Sequence, residues 1–186
     1  MKNIEQELKA VLDERQYGIL LEKSNVQPVL QTNYYFRYDK MPQSVMVRIR
    51  ERNGEYILCY KYRISQNGGV TVCDERECEI GDGYAKKLIS RGVTGTELNQ
   101  MLNCGLSSDF VCVGKLDTYR TKFTLGNWKL ELDKNEYLGT TDYELECEDN
   151  DIESLNRLKN YLYYTFGISF KPSLPKSERF FEKYDK

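Results

Sequence analysis

The strongest constraint on this chain is an alternation of charged and apolar residues that recurs in segment after segment. In SVMVRIRER, Val45, Val47 and Ile49 alternate with Met46, Arg48 and Arg50. Successive side chains of a β-strand point to opposite faces, so such a segment carries one apolar face and one charged face. The same reading applies along the chain. Residues 2–12 place Glu5, Glu7 and Lys9 in one row, and EYILCYKYRI gives Lys61 and Arg63. VTVCDERECEI gives Glu75, Glu77 and Glu79, and TYRTKFTL gives Arg120 and Lys122. WKLELDKNEYL gives Lys129, Glu131 and Asp133, and DYELECE gives Glu144, Glu146 and Glu148. The opposite faces are largely apolar, as in Trp128, Leu130 and Leu132 or Tyr143, Leu145 and Cys147.

Turn signals separate these segments. Asn53-Gly54 is a hairpin dipeptide, Asn67-Gly68-Gly69 and Gly126-Asn127 mark further turns, and Gly139 leads into the last strand. DFVCVGK precedes TYRTKFTL, with a register break expected over Leu116-Asp117-Thr118 that leaves the direction of Lys115 undetermined. Helical spacing appears at 13–24 through Tyr17, Leu20 and Leu21, and across roughly 81–104. In DIESLNRLKNYLYYTFG, Leu155, Leu158, Leu162 and Phe166 form a stripe and Gly167 is a stop. The tail PKSERFFEKY reads as a short last helix. The expectation is one α+β domain over 1–186: about eight antiparallel strands with four or five helices on the apolar side.

Two arrangements satisfy that pattern. The charged faces are solvated, as is ordinary for an antiparallel sheet. Alternatively, helices cover the apolar faces and the sheet curls into an eight-stranded barrel with the charged rows inside, room enough for one small ligand. Same-sign doublets within single strands favour the second, because their repulsion needs a counter-ion or a facing strand of opposite charge.

Composition narrows the chemistry. The chain has no histidine, which removes Ser-His and Cys-His schemes and imidazole metal sites. A metal here would be held by carboxylates and would be a hard one, Mg2+ or Mn2+. Acids (29) and bases (27) nearly balance, so no stable nucleic-acid partner is expected. Six cysteines lack CxxC spacing and read as small buried hydrophobes or bystanders. There is no apolar run long enough for a bilayer and no signal-type leader, so the reading is cytoplasmic with no membrane partner.

The ordered motifs resemble the CYTH superfamily, the triphosphate tunnel metalloenzymes, and in particular its small single-domain bacterial members. EQELK fits the opening Glu-x-Glu-x-Lys signature, and QTNYYF, VMVRIRER, YILCYK, RECEI, GKLDTYRTKF, KLELDK, YELECE and PKSERF resemble successive family segments. The chain departs from the family pattern at Arg37, at Cys59 and in the order Lys176-Ser177. The resemblance implies an antiparallel eight-stranded tunnel and metal-dependent hydrolysis of a triphosphate, inorganic or organic. By motif, it implies catalytic roles for Glu5, Glu7 and Lys9. Lys9, Arg48, Arg50, Lys61, Arg120 and Lys176 would bind phosphate, with Arg179 beside Lys176 in closing the tunnel. Glu5, Glu7, Glu77, Glu79, Asp133, Glu144 and Glu146 would serve the metal, Mg2+ or Mn2+. The partner implied is a small-molecule triphosphate, with a homodimer left open. The rival functions are an adenylate cyclase using the same tunnel and a non-catalytic polyphosphate or nucleotide binder.

Overall fold

A computed structural model describes residues 4–5, 7–67, 70–149, 151–170 and 173–186. Its strands are β1 (Ile4–Glu5), β2 (Glu7–Leu12), β3 (Val29–Arg37), β4 (Val45–Arg52), β5 (Glu55–Asn67), β6 (Val70–Ile80), β7 (Val111–Leu125), β8 (Trp128–Tyr137) and β9 (Thr140–Glu148). Its helices are α1 (Glu14–Ser24), α2 (Asp82–Arg91), α3 (Gly95–Leu102), α4 (Ile152–Phe166) and α5 (Lys176–Tyr184).

The strands form one antiparallel sheet in the order β1-β6-β5-β4-β3-β7-β8-β9-β2. Its two edge strands are successive pieces of one N-terminal segment, which pairs with β6 over Ile4–Glu5 and with β9 over Glu7–Leu12. The expected first strand therefore changes partner partway along. The sheet curls into a tunnel that closes through the chain rather than through a ladder between its edges.

Local chemistry sets the turns. Asn53 (φ 55°) and Gly54 (φ 81°) join Arg52 to Glu55, the paired left-handed conformations that match strand twist. Gly126 (φ 61°) opens the two-residue turn between Leu125 and Trp128. The expected turn glycines Gly68 and Gly69 lie outside the described residues.

One sequence expectation is resolved further and another is corrected. The helical stretch 81–104 is two helices, because Thr94 and Glu97 form a capping box that starts α3 afresh. No register break interrupts 116–118. β7 is continuous, and its irregularity falls earlier, between the Tyr35↔Gly114 and Phe36↔Cys112 pairs. Lys115 therefore shares a face with Asp117, to which it is bonded at 2.7 Å, and stands exposed on the outside.

Helices cover the outer, apolar faces in two groups. One core joins Val47, Ile49 and Leu58 of the sheet to Ala85 and Leu88 of α2 and Leu98 of α3. The other joins Leu130, Leu132 and Leu145 to Leu20 of α1 and Leu155, Leu158 and Leu162 of α4. Each fully buried aliphatic side chain contributes roughly 1.5–3 kcal/mol of transfer free energy. With both groups outside the sheet, the charged rows are turned inward. The short helix α5 goes to the inside instead. Its Phe180 is buried in a third cluster with Tyr35, Met46, Leu116 and Tyr137. Gly114 makes room for it: φ is 150°, and a Cβ there would stand 3.0 Å from the Phe180 ring.

Candidate functional site

Cross-strand partners in an antiparallel ladder lie on the same face, so register turns the charged rows into rings. One runs Lys9, Glu146, Glu131, Lys122, and the next carries Glu144, Asp133 and Arg120. Across the tunnel, β4, β5 and β6 supply Arg48, Cys59 and Glu77 in one ring and Arg50, Ile57 and Glu79 in another.

The first wall is a dense ion network. Asp133 and Glu144 are fully buried and Glu146 is 9% exposed. Carboxylate oxygens of these three residues lie within 4.8 Å of one another. Buried carboxylates at that spacing require cations, and several converge. Arg120 grips Asp133 with Nε at 2.8 Å and Nη2 at 2.6 Å, and reaches Glu146 at 3.1 Å and also Glu131. Lys9 Nζ is 2.9 Å from Glu146. Lys176, the first residue of α5, contacts Asp133 and stands 3.3 Å from Glu144 and 3.4 Å from Glu146. Arg179, one turn on, bonds Asp142 at 3.0 and 3.1 Å and Glu144 at 3.1 Å. Neutral groups complete the network: the Asn135 amide donates to Asp142 and Glu144 at 3.0 Å each, and Thr118 donates to Asn135 at 2.8 Å.

The titration of these groups reflects that geometry. Burial alone would raise the pKa of Glu146, but Lys176, Lys9 and Arg120 outweigh it and hold the carboxyl below the ordinary carboxylate range. Burial works to lower the pKa of Lys176, yet Glu146, Asp133 and Glu144 raise it above the ordinary lysine value.

The facing wall is underpaired. The Nε atoms of Arg48 and Arg50 are buried without a hydrogen-bond partner, as is Oδ1 of Asn33, the cross-strand partner of Arg50. Arg48 lies against the uncharged Tyr35 and Cys59. Burial pushes the Cys59 thiol up to about 12, so it is a neutral neighbour and not a nucleophile. The nearest Glu77 oxygen is 3.9 Å from Arg50. Lys61 pairs with Glu75 at 3.3 Å.

The sequence-derived candidates thus divide. Lys9, Arg120, Asp133, Glu144, Glu146 and Lys176 are brought together. Arg48, Arg50 and Lys61 stand on the other wall. Glu77 and Glu79 lie on β6, exposed and apart from the buried carboxylates. The side chains of Glu5, Glu7 and Glu148 lie outside the described residues, and the pairing of Glu7 with Glu148 continues the acidic row at backbone level. Arg63 bonds Glu178 of α5 at 2.5 Å, and Lys122 bonds Glu131 at 2.5 Å. Asp142, Asn135 and Tyr35 are tunnel residues that the sequence reading missed. Asp142 was within reach of it, two positions before Glu144 in the same row.

The buried triad of Asp133, Glu144 and Glu146 suits a hard divalent cation by its donor chemistry: three carboxylates converging from two adjacent strands. A surface cleft of about 520 Å³ beside Lys115, Asp117 and Glu136 lies on the outer face, and its Asp117 is already bonded by Thr32 and Lys115.

The CYTH domain model matches residues 3–181. Among solved structures, a candidate adenylate cyclase from Bacillus halodurans superposes with a TM-score of 0.77 at 26% identity, covering 97% of this chain and 98% of that one. A candidate adenylyl cyclase from Hippeastrum, in which a triphosphatase activity is dominant, superposes at 0.76 with 21% identity and 96% coverage of both chains. A Pyrococcus horikoshii protein shares the fold at a TM-score of 0.62 and 20% identity, covering 96% and 99% of the two chains. No curated protein matches the sequence.

Proposed function

The chain belongs to the CYTH domain family, and on that premise we propose that it hydrolyses a triphosphate inside the tunnel with a divalent cation, Mg2+ or Mn2+. The observation that carries this reading is the division of the interior into two walls. One gathers buried carboxylates that suit a cation, and the other leaves buried arginine N–H groups with no partner. An elongated polyanion bridged to a cation satisfies both.

Asp133, Glu144 and Glu146 would hold the cation, with Glu5 and Glu7 further along the acidic row. When bound, the cation would neutralise phosphate oxygens and favour attack at phosphorus. Arg48 and Arg50 bind phosphoryl oxygens through the free N–H groups, with Lys61 on the same wall and Lys9 and Arg120 on the other. Their role is to stabilise charge as it spreads in phosphoryl transfer. Water adds to the terminal phosphorus, the phosphoanhydride bond breaks, and phosphate and a diphosphate leave. Glu146, held ionised by three cations, serves electrostatically and is a poor base.

The test is phosphate release from inorganic triphosphate, ATP and thiamine triphosphate in parallel, with Mg2+ or Mn2+, for the wild type, Arg48→Met and Glu146→Gln. Metal-dependent release that both substitutions abolish is the expected result. Full activity in both folded variants would overturn the assignment. Cyclic AMP formed from ATP would instead establish the cyclase reading, the activity for which the Bacillus halodurans relative is a candidate.

A further inference from the structure

We propose that Lys176 occupies the place of the divalent cation in the substrate-free protein, so that the cation binds productively only together with the triphosphate. This rests on the metal-dependent reading above and adds an order of events to it.

The Lys176 ammonium touches Asp133 and lies 3.3 and 3.4 Å from Glu144 and Glu146, so it faces the same three carboxylates that could ligate a metal. The ammonium donates to Asp133 and stands at ion-pair distance from Glu144 and Glu146. A divalent ion and an ammonium cannot share that space, because the repulsion between them is strong wherever water is scarce.

Charge balance gives the same answer. Lys9, Arg120, Lys176 and Arg179 already face the triad. A carboxylate cluster neutralised in this way holds little surplus negative charge to draw a cation from water. A triphosphate brings that charge. Its oxygens compete for the ammonium and guanidinium groups, and each cation that turns toward phosphate releases a carboxylate.

The source of the side chain makes the exchange mechanically simple. Lys176 begins α5, which joins no strand ladder and is docked by side chains: Phe180 against Tyr35, Arg63 to Glu178, and Arg37 to Asp185 at 2.6 Å. Lys176 can withdraw without opening the sheet, whereas Arg120 lies within β7, between β3 and β8. The departure from the family pattern at Lys176-Ser177 keeps the lysine three residues from Arg179, so both fall on one face of α5.

The experiment is calorimetric titration of the intact chain with Mn2+, alone and with saturating non-hydrolysable imidotriphosphate, for the wild type and Lys176→Met. Two results are expected. The analogue tightens Mn2+ binding to the wild type, and Lys176→Met binds Mn2+ without analogue at least about tenfold more tightly than the wild type does, since an adjacent positive charge has been removed. Wild-type Mn2+ affinity that is unchanged by the analogue would overturn the proposal, and so would equal affinities of the two free proteins. If Lys176→Met fails to fold, the wild-type titration with and without analogue still decides. Phosphate release is read separately: hydrolysis with tight metal binding to the free protein would sink this proposal and leave the triphosphatase reading standing. Absence of hydrolysis from a protein that shows the expected titrations would do the reverse.

Discussion

The two walls of the tunnel use the same residue types and reach opposite states. On the wall built by β7, β8, β9 and β2, each buried carboxylate of the triad has two or more cationic or amide partners. On the wall built by β3, β4 and β5, Arg48 and Arg50 keep buried N–H groups without acceptors. The difference comes from what stands opposite each charge. Arg120 meets Asp133 across a strand pair, whereas Arg48 meets Tyr35 and Cys59. A neutral cross-strand neighbour leaves the guanidinium's bonding capacity for something else. The first wall therefore already contains its counter-ions, and the second keeps donor capacity that the proposed function assigns to an anion.

That contrast predicts unequal responses to substitution. Asp133→Ala removes one of three carboxylate partners of the half-buried Arg120 and the closest partner of Lys176, and should cost about 3 kcal/mol of stability along with all activity, read by denaturant unfolding. Arg48→Met should do the opposite. Stability should fall by only about 1 kcal/mol, because the bonds lost are to neutral Tyr35 and Cys59 and the unpartnered Nε leaves with the side chain, while triphosphate hydrolysis should fall by about 10²–10³, as for removal of one donor to a charged transition state. Equal stability losses in the two variants would erase the distinction between the walls.

Asn135→Leu should fall between them. It strips one donor from both Asp142 and Glu144 and the acceptor of Thr118, costing about 1–3 kcal/mol. If Asn135 also orients Glu144 for the cation, Mn2+ dependence should shift to higher concentration even where the variant remains folded. An unchanged metal dependence would confine it to a structural role.

The smallest effect should come from Glu97, an ion-paired acid on the outer surface. Arg91 and the Thr94 amide lower its pKa to about 2 from an ordinary 4.5. Its folded-state pKa is depressed, so its contribution is complete above pH 4.5 and is lost as pH falls towards 2. Because the group is close to solvent, that contribution should stay under about 1 kcal/mol. Glu97→Gln should flatten this part of the acid-denaturation profile without changing hydrolysis at neutral pH. A large effect on hydrolysis would show that the interior network extends beyond the tunnel.

Much of this was legible before any coordinates. Alternation in β4, β8 and β9 identified Arg48, Arg50, Asp133, Glu144 and Glu146 as sharing the charged faces, and the stripe Leu155, Leu158, Leu162 became the buried side of α4. Asn135 was invisible because a neutral amide carries no charge signal in a row read for charge. The change of partner between Glu5 and Glu7 was invisible because one alternating segment looks the same whether it pairs with one strand or two.

By itself the sequence determined which residues share a face, since strand geometry makes that a matter of counting by two. It also set where the chain turns, since only certain residues accept left-handed backbone angles. Whether the charged faces meet water or one another was decided by the tertiary structure, because it depends on helices packing against the opposite faces. The same holds for the meeting of Lys176 with Asp133, Glu144 and Glu146. That contact spans 43 residues to Asp133 and arises from the docking of Phe180 within the tunnel, which no local pattern encodes.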